Sequence, residues 1–315
     1  MPKSKPAFLF PGQGSQFVGM GRDFHQAHPW AREIFELADR VTRKPITTLC
    51  FEGPIEELTL TVNLQPAITA VNLVCFQALA DEEVLPEAVA GHSLGEYSAL
   101  AAAGVLMAED TFRLVNLRGE LMQRDAERRP GSMQAVMGLS RPEVEAIAEL
   151  ARARGVVVVA NHNTPWQFIL TGESEAVSAA AKFAQTKGGK TMPLAVSGAW
   201  HSPLMAEAAA DFARALDETT FLTPACAVYL NVTGQPETDP ARIKEELKKQ
   251  IISPVRWCDT IENMAADGIT DFVEVGPKKV LSGLVRKTLP KEAQVGLHSV
   301  QDLEGVGPVM ERLKG

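Results

Sequence analysis

The chain is poor in cysteine, has no surplus of positive charge and shows no apolar run of membrane-spanning length. Its four cysteines among 315 residues, Cys50, Cys75, Cys226 and Cys258, stand far apart and form no C-x-x-C pair. That pattern excludes zinc-ribbon and thioredoxin-type chemistry and fits reduced thiols in a cytoplasmic protein. The formal net charge of -8 argues against general affinity for nucleic acid, which needs a basic surface. Near the start, the apolar run AFLF is cut by a proline-glycine turn. It is too short and too broken for a secretory signal. A membrane span needs about 18 or more consecutive apolar residues, so no membrane is expected. The glycine-rich stretch FPGQGSQFVGMG is not a dinucleotide turn, because Phe17 stands where G-x-G-x-x-G requires its last glycine. There is no repeat of solenoid period and no low-complexity tract. What remains is 45 % hydrophobic and 22 % charged, the composition of a soluble enzyme with one main domain and room for a smaller one.

The pattern of elements predicts an α/β fold. Ala7–Phe10 and Ala88–Ala90 read as short buried strands, and Ile269–Gly276 as another. Pro66–Ala80 reads as a helix with its proline in the first turn, and Asp110–Arg128 as a long helix. Alternation of this kind points to a mainly parallel sheet flanked by helices. Between about Pro130 and Ser197 the rhythm changes. A strand at 132–139, a helix at 141–154, strands at 156–160 and 167–170 around an Asn-rich turn, a helix at 173–187 and a strand at 191–196 give βαββαβ. That is the ferredoxin-like order. The expectation is a large domain from residues 1–129 and 198–315, with a small domain of 130–197 inserted in it.

The chemistry starts at VAGHSLGEYSALAAAG. Ser93 lies between Gly91 and Gly95 on a strand-turn-helix pattern, the G-x-S-x-G elbow that lifts a hydroxyl out of a sheet. A hydroxyl needs a base to become a nucleophile. His92 is adjacent to Ser93, so its side chain is expected to point away. His201, in VSGAWHSPLM where the chain leaves the small domain, is the better candidate. A hydrolase triad would add an acid between Ser93 and His201, but Asp125 and Glu173 sit in polar helical contexts. A dyad with a backbone carbonyl behind the imidazole is the alternative. Arg118 falls on or beside the apolar stripe of Leu114, Leu117, Leu121 and Met122, with no acid one helical turn away. Either it snorkels to the helix edge, or its partner is a substrate carboxylate held bidentately. Arg113 is its rival, one residue off the stripe. The N–H groups of Gln13 and Leu94 are candidates for an oxyanion hole; a simple tight turn at Gln13 is the plainer alternative.

Together, FPGQGSQ, QPAITA, GHSLGEYSAL, LRGELMQ, SGAWHSPLM, ISPVRW and VEVGPKKVLSGL, in that order, resemble the malonyl-CoA–acyl carrier protein transacylases of type II fatty acid synthesis over nearly the whole chain. The resemblance implies an α/β-hydrolase-like large domain carrying a ferredoxin-like small one. It implies Ser93 as nucleophile, His201 as base, Gln250 as the residue whose carbonyl orients the imidazole, and Gln13 and Leu94 as oxyanion donors. It further implies Arg118 as the clamp on the malonyl carboxylate, with His92 and Asn163 lining the site. Trp200 departs from the family's usual phenylalanine before the base, and its larger ring should still exclude an α-methyl branch. Implied too are malonyl-CoA and acyl carrier protein as partners, a ping-pong course, no metal or bound cofactor, a monomer and a cytoplasmic location. An acidic carrier protein requires a basic patch, for which Lys278, Lys279, Arg286 and Lys287 are candidates and Lys187, Lys190 and Arg128 rivals. A discrete polyketide-type acyltransferase and a serine thioesterase are the alternative functions.

Overall fold

Strand β1 (Pro6–Phe10) is buried along its whole length, as the central strand of a parallel sheet must be. The computed structural model describes residues 4–196 and 198–314. Ser197, the expected end of the small domain, lies outside the described residues. β1 pairs in parallel with β2 (Ala88–Gly91) on one side and β9 (Asp271–Val275) on the other. β7 (Ala227–Tyr229) and β10 (Gly296–Val300) extend the sheet in parallel, and only β8 (Pro236–Glu237) runs antiparallel. The order β10-β9-β1-β2-β7-β8 is the mainly parallel sheet expected.

The second sheet is wholly antiparallel. Its strands are β3 (Ser132–Met137), β4 (Val157–Thr164), β5 (Gln167–Gly172) and β6 (Lys190–Pro193). The order β4-β5-β3-β6, with helices Arg141–Ala151 and Ser174–Thr186 in the crossovers, is the ferredoxin-like arrangement. β4 is longer than its sequence suggests. Asn161 to Thr164 were expected in a turn, yet they continue the strand through two register shifts. Their extra partner comes from far along the chain. Val255 N–H donates to Ala160 O (2.8 Å) and His162 N–H donates to Val255 O (2.9 Å), stitching the small sheet to the segment 253–256. The seam aims Asn161 and Asn163 at the crevice between the two sheets.

Two long helices flank the crevice. One spans Thr61–Asp81, so Pro66 lies inside it and not in its first turn. A proline at that position leaves the carbonyl one turn earlier without its helical donor. That carbonyl is Val62 O, and Lys44 Nζ donates to it at 3.1 Å while also reaching Asn116 and Glu120. The helix therefore starts earlier than local signals suggest. By length and composition alone it could cross a membrane, but most of it is buried inside the protein. It is a core helix, packed against the second long helix, Ala108–Arg128. Gly119 permits the approach, because a Cβ there would lie 2.9 Å from Thr61 O. All four cysteines are unbridged.

The elbow owes its shape to two glycines. A Cβ on Gly91 would lie 1.9 Å from the carbonyl carbon of Gly95, and one on Gly95 would lie 2.0 Å from Phe10 O. Strand β2 and the helix Gly95–Ala102 thus meet backbone to backbone, and any side chain would drive them apart. Gly95→Ala should therefore cost at least about 3 kcal/mol of folding stability. A urea-unfolding midpoint equal to that of the parent would contradict this packing.

Candidate active site

Ser93 sits at the tip of the elbow with φ 52°, and His201 also takes a left-handed backbone with φ 58°. Non-glycine residues in that region are strained and are held there by their surroundings. The two side chains meet: Ser93 Oγ lies 2.7 Å from His201 Nε2. On the other side of the ring, Nδ1 faces two backbone carbonyls, Gln250 O at 3.0 Å and Ser253 O at 3.1 Å. Carbonyls only accept, so Nδ1 carries the proton and Nε2 offers its lone pair to the serine hydroxyl. Among the described residues no carboxylate bonds the imidazole. Asp125 binds Arg124 and Ala208 N–H, and Glu173 binds Val156 N–H, so both acids considered from sequence are structural.

Burial, and after it the charge of Arg118, push the His201 imidazole down to about 3. His92 is also lowered by burial. His92 does not point away from the site as its position beside Ser93 suggested. Its Nε2 bonds Asn163 Oδ1 at 2.9 Å and its ring packs edge-on against Trp257.

Arg118 does not snorkel. It is 1 % exposed. Its Nη1 donates to Gln65 Oε1 (3.1 Å), and its Nη2 donates to Gln250 Oε1 (3.0 Å) and to Ser93 Oγ (3.3 Å). Its guanidinium carbon lies 5.6 Å from the centre of the Tyr97 ring. Among the described residues every hydrogen-bond partner is neutral; burial pulls down its proton affinity, and the fields of Tyr97 and Glu96 offset only part of that. Arg113, the rival, is taken up by Asp110 and Thr219.

Gln13 and Leu94 face the same cavity. The loop carrying Gln13 is pressed on the elbow, since a Cβ at Gly12 would lie 2.4 Å from His92 O and 3.5 Å from Leu94 N. Among the described residues neither the Gln13 nor the Leu94 N–H donates a hydrogen bond, so both can serve an incoming oxyanion. Trp200 lines the cavity, and its ring fits because residue 198 is glycine, where a Cβ would lie 2.5 Å from the indole. The cavity measures about 300 Å³, and Met122, Met133 and Ile169 form apolar walls. Gln250 stands behind it. Four participants were missed by sequence reasoning: Gln65, Asn231, Glu96 and the side chain of Gln250. Asn231 Oδ1 accepts from Ser93 N–H at 2.7 Å and its Nδ2 donates to Gly91 O at 2.7 Å, fixing the elbow from below. Only Glu96 left a signal, an acid in the first turn of a helix whose other face is apolar.

A mainly parallel α/β sheet, a half-buried hydroxyl on a strained elbow and an imidazole in contact with it define an α/β protein with a paired hydroxyl and imidazole in its crevice. A model of the acyl transferase domain matches residues 7–306. The chain is 39 % identical to the malonyl CoA-acyl carrier protein transacylase of Bacillus subtilis (strain 168), over 96 % of each. Its fold superimposes with a TM-score of 0.94 on the malonyl CoA-acyl carrier protein transacylase of Coxiella burnetii, 34 % identical over 99 % of each chain. The same score and identity, over 98 % of this chain and all of the other, relate it to a malonyl-transacylase solved in complex with a type II polyketide acyl-carrier protein. The chain belongs to the acyl transferase family, among the malonyl-CoA–acyl carrier protein transacylases.

The position of the His201 proton can be checked directly. With a folded-state value pushed down to about 3 against the ordinary 6.5, the ring stays neutral as pH falls through the range in which an unfolded histidine protonates. Nitrogen NMR of labelled histidine should show the Nδ1–H tautomer from pH 8 down to about pH 4. A protonated His201 at pH 6 would contradict the geometry.

Proposed function

We propose that this protein transfers a malonyl group from malonyl-CoA to the phosphopantetheine thiol of acyl carrier protein, supplying fatty acid elongation. One observation carries the choice of acyl group: a buried guanidinium, 3.3 Å from the attacking hydroxyl, whose hydrogen-bond partners are all neutral. Such a cation leaves room for an anion, and a malonyl thioester brings a free carboxylate one methylene away from its reacting carbonyl.

In the first half-reaction His201 Nε2 takes the proton of Ser93 Oγ as the oxygen bonds to the thioester carbon. The N–H groups of Gln13 and Leu94 hold the oxyanion. Collapse breaks the carbon–sulfur bond, and the imidazolium returns its proton to the departing CoA sulfur. In the second half the carrier-protein thiol loses its proton to Nε2 and attacks the malonyl-serine, and Ser93 leaves with that proton. A thioester is exchanged for an ester and back, so the scheme calls for no redox partner or metal. Arg118 holds the carboxylate in both halves, keeping the acyl group in one orientation. Trp200 fills the space beside the base, which favours malonyl over an α-methyl branch.

The hydrolase alternative is disfavoured by the carbonyls that replace an acid behind His201. The polyketide alternative draws on the relative solved with a polyketide carrier protein. Loading assays with the two carrier-protein types separate that alternative from fatty acid synthesis.

Mass spectrometry after mixing with malonyl-CoA should show a malonyl adduct on Ser93, absent in Ser93→Ala. Arg118→Ala should lower kcat/KM for malonyl transfer by about 10²-fold or more, the cost of losing one partner of a buried ion pair. Acetyl transfer should hold or improve. Equal losses for both acyl groups would remove the clamp from the scheme.

The helix Val280–Thr288 forms one wall of the cavity through Val280, Leu281 and Leu284. Lys278 and Lys279 precede it, with Lys278 Nζ bonded to Gly14 O at 3.1 Å. Arg128, a rival, is paired with Glu207. We place the carrier protein on the Lys278–Lys279 side of the mouth. Lys279→Glu should raise the KM for carrier protein several-fold, as loss of charge complementarity slows encounter, and leave formation of the malonyl adduct unchanged. An unchanged KM would move the docking face elsewhere.

A further inference from the structure

Beneath the elbow lies a buried acid that the reaction scheme does not use. Glu96 is 2 % exposed. Its Oε1 accepts from Asn231 N–H at 2.9 Å, and its Oε2 accepts from Gln250 Nε2. The same Gln250 Nε2 donates to Ser93 O at 2.8 Å, and Gln250 Oε1 accepts from Arg118 Nη2 at 3.0 Å. The backbone carbonyl of Gln250 receives His201 Nδ1. One residue thus touches the nucleophile's backbone, the base and the clamp, and Glu96 holds that residue.

The polarity of this chain is fixed by groups with a single role. Ser93 O can only accept and a guanidinium can only donate. The Gln250 amide must therefore turn its NH₂ toward Ser93 O and Glu96, and its oxygen toward Arg118. Asn231 N–H and the Gln250 NH₂ are both donors, so both oxygens of Glu96 must be acceptors. A carboxylate satisfies this in full, whereas a neutral side chain adds a donor for which this network holds no acceptor. If residue 96 presented a donor, the Gln250 oxygen would turn toward it and leave Arg118 facing an NH₂ group.

We propose that Glu96 is a positioning residue for acyl selectivity: through the Gln250 amide it holds the Arg118 guanidinium where it grips the substrate carboxylate. This rests on the malonyl-transfer reading above. Glu96 touches neither substrate nor the reacting atoms, so its effect reaches the reaction only through Gln250 and Asn231. The charged and titratable groups acting on it are Arg118 from the helix Ala108–Arg128, Glu246 from the helix Pro240–Lys249, where it pairs with Lys249, and Tyr97 beside it on its own helix. Burial pushes the Glu96 carboxyl up to about 7. Below that pH it takes a proton, the network gains an O–H facing only donors, and its hold on the amide weakens.

The test is the ratio of malonyl to acetyl kcat/KM, measured on the intact protein. Glu96→Gln should lower malonyl transfer about tenfold or more beyond its effect on acetyl transfer, the scale of a hydrogen bond to a charged group. In an Arg118→Ala background the same change should cost no further selectivity, and Glu96→Asp should restore part of the loss. In the parent the ratio should fall as pH is lowered through about 7, and in Glu96→Gln it should stay flat. Equal losses on both substrates, additive with Arg118→Ala, would make Glu96 merely structural and overturn the proposal. Should Glu96→Gln not fold, the parent's pH series decides, and a ratio constant from pH 6 to 8 overturns it. A parent that never forms the malonyl adduct on Ser93 instead sinks the malonyl-transfer reading itself.

Discussion

One cation buried beside one hydroxyl is the constraint around which the rest is arranged. Taking a guanidinium out of water costs several kcal/mol even after relaxation. The protein offsets that with three oxygen acceptors, Gln65, Gln250 and Ser93, and with the face of Tyr97. None of these carries a full negative charge. The nearest acid, Glu96, reaches the guanidinium only through the Gln250 amide, and on the proposed reading an anionic substrate supplies the direct pair. On the proposed reading, binding and selectivity arise from the same term, because only a ligand with a carboxylate removes the cost.

Holding three groups in one crevice demands rigid supports from distant parts of the chain. The elbow supplies Ser93, and it is tight because Gly91 and Gly95 let strand and helix meet without side chains. The second sheet supplies the opposite wall, and it is pinned by Val255, whose amide and carbonyl both bond to β4. The segment Gln250–Ser253, immediately before that seam, supplies the carbonyls for His201. A displacement of the small sheet would thus be felt at the base. Coupling of this kind keeps reacting atoms at near-attack distance.

The sequence was most informative where function leaves a local pattern. Ser93 could be read from glycines two residues away, because backbone crowding is a local matter. Arg118 could be read from the apolar stripe of its own helix, because a charge on that stripe needs an explanation wherever the helix lies. His201 stood out by its place at the exit from the small sheet. The remainder is long-range. Gln65 meets Arg118 across 53 residues, and Asn231 meets Ser93 across 138. No periodicity marks an amide that will be needed so far away. The helix containing Pro66 was expected to begin too late for the same reason, since the group that takes up the orphaned carbonyl is Lys44. β4 was expected to stop too early because its last residues keep pairing with β5 through two register shifts, with Val255 bridging to Asn161 from far along the chain. Local propensity described each segment alone, and tertiary hydrogen bonds moved the boundaries.

The absence of an acid behind His201 becomes intelligible once the substrate's charge is counted. The imidazole is held down by burial and by the positive field of Arg118, with only carbonyls to support it. An imidazole so depressed is a weak base. A malonyl carboxylate docked on Arg118 cancels much of that field at short range, where effective dielectric is low. The proton affinity of Nε2 must then rise, because the opposing charge has been paired. On the proposed scheme the substrate thus completes its own base, and an acyl group without a carboxylate does not. A permanent aspartate behind the ring would raise the base for every ligand, water included. Carbonyls orient the ring as well as a carboxylate would, and they leave the decisive charge to be delivered by the acyl group that the enzyme is built to move.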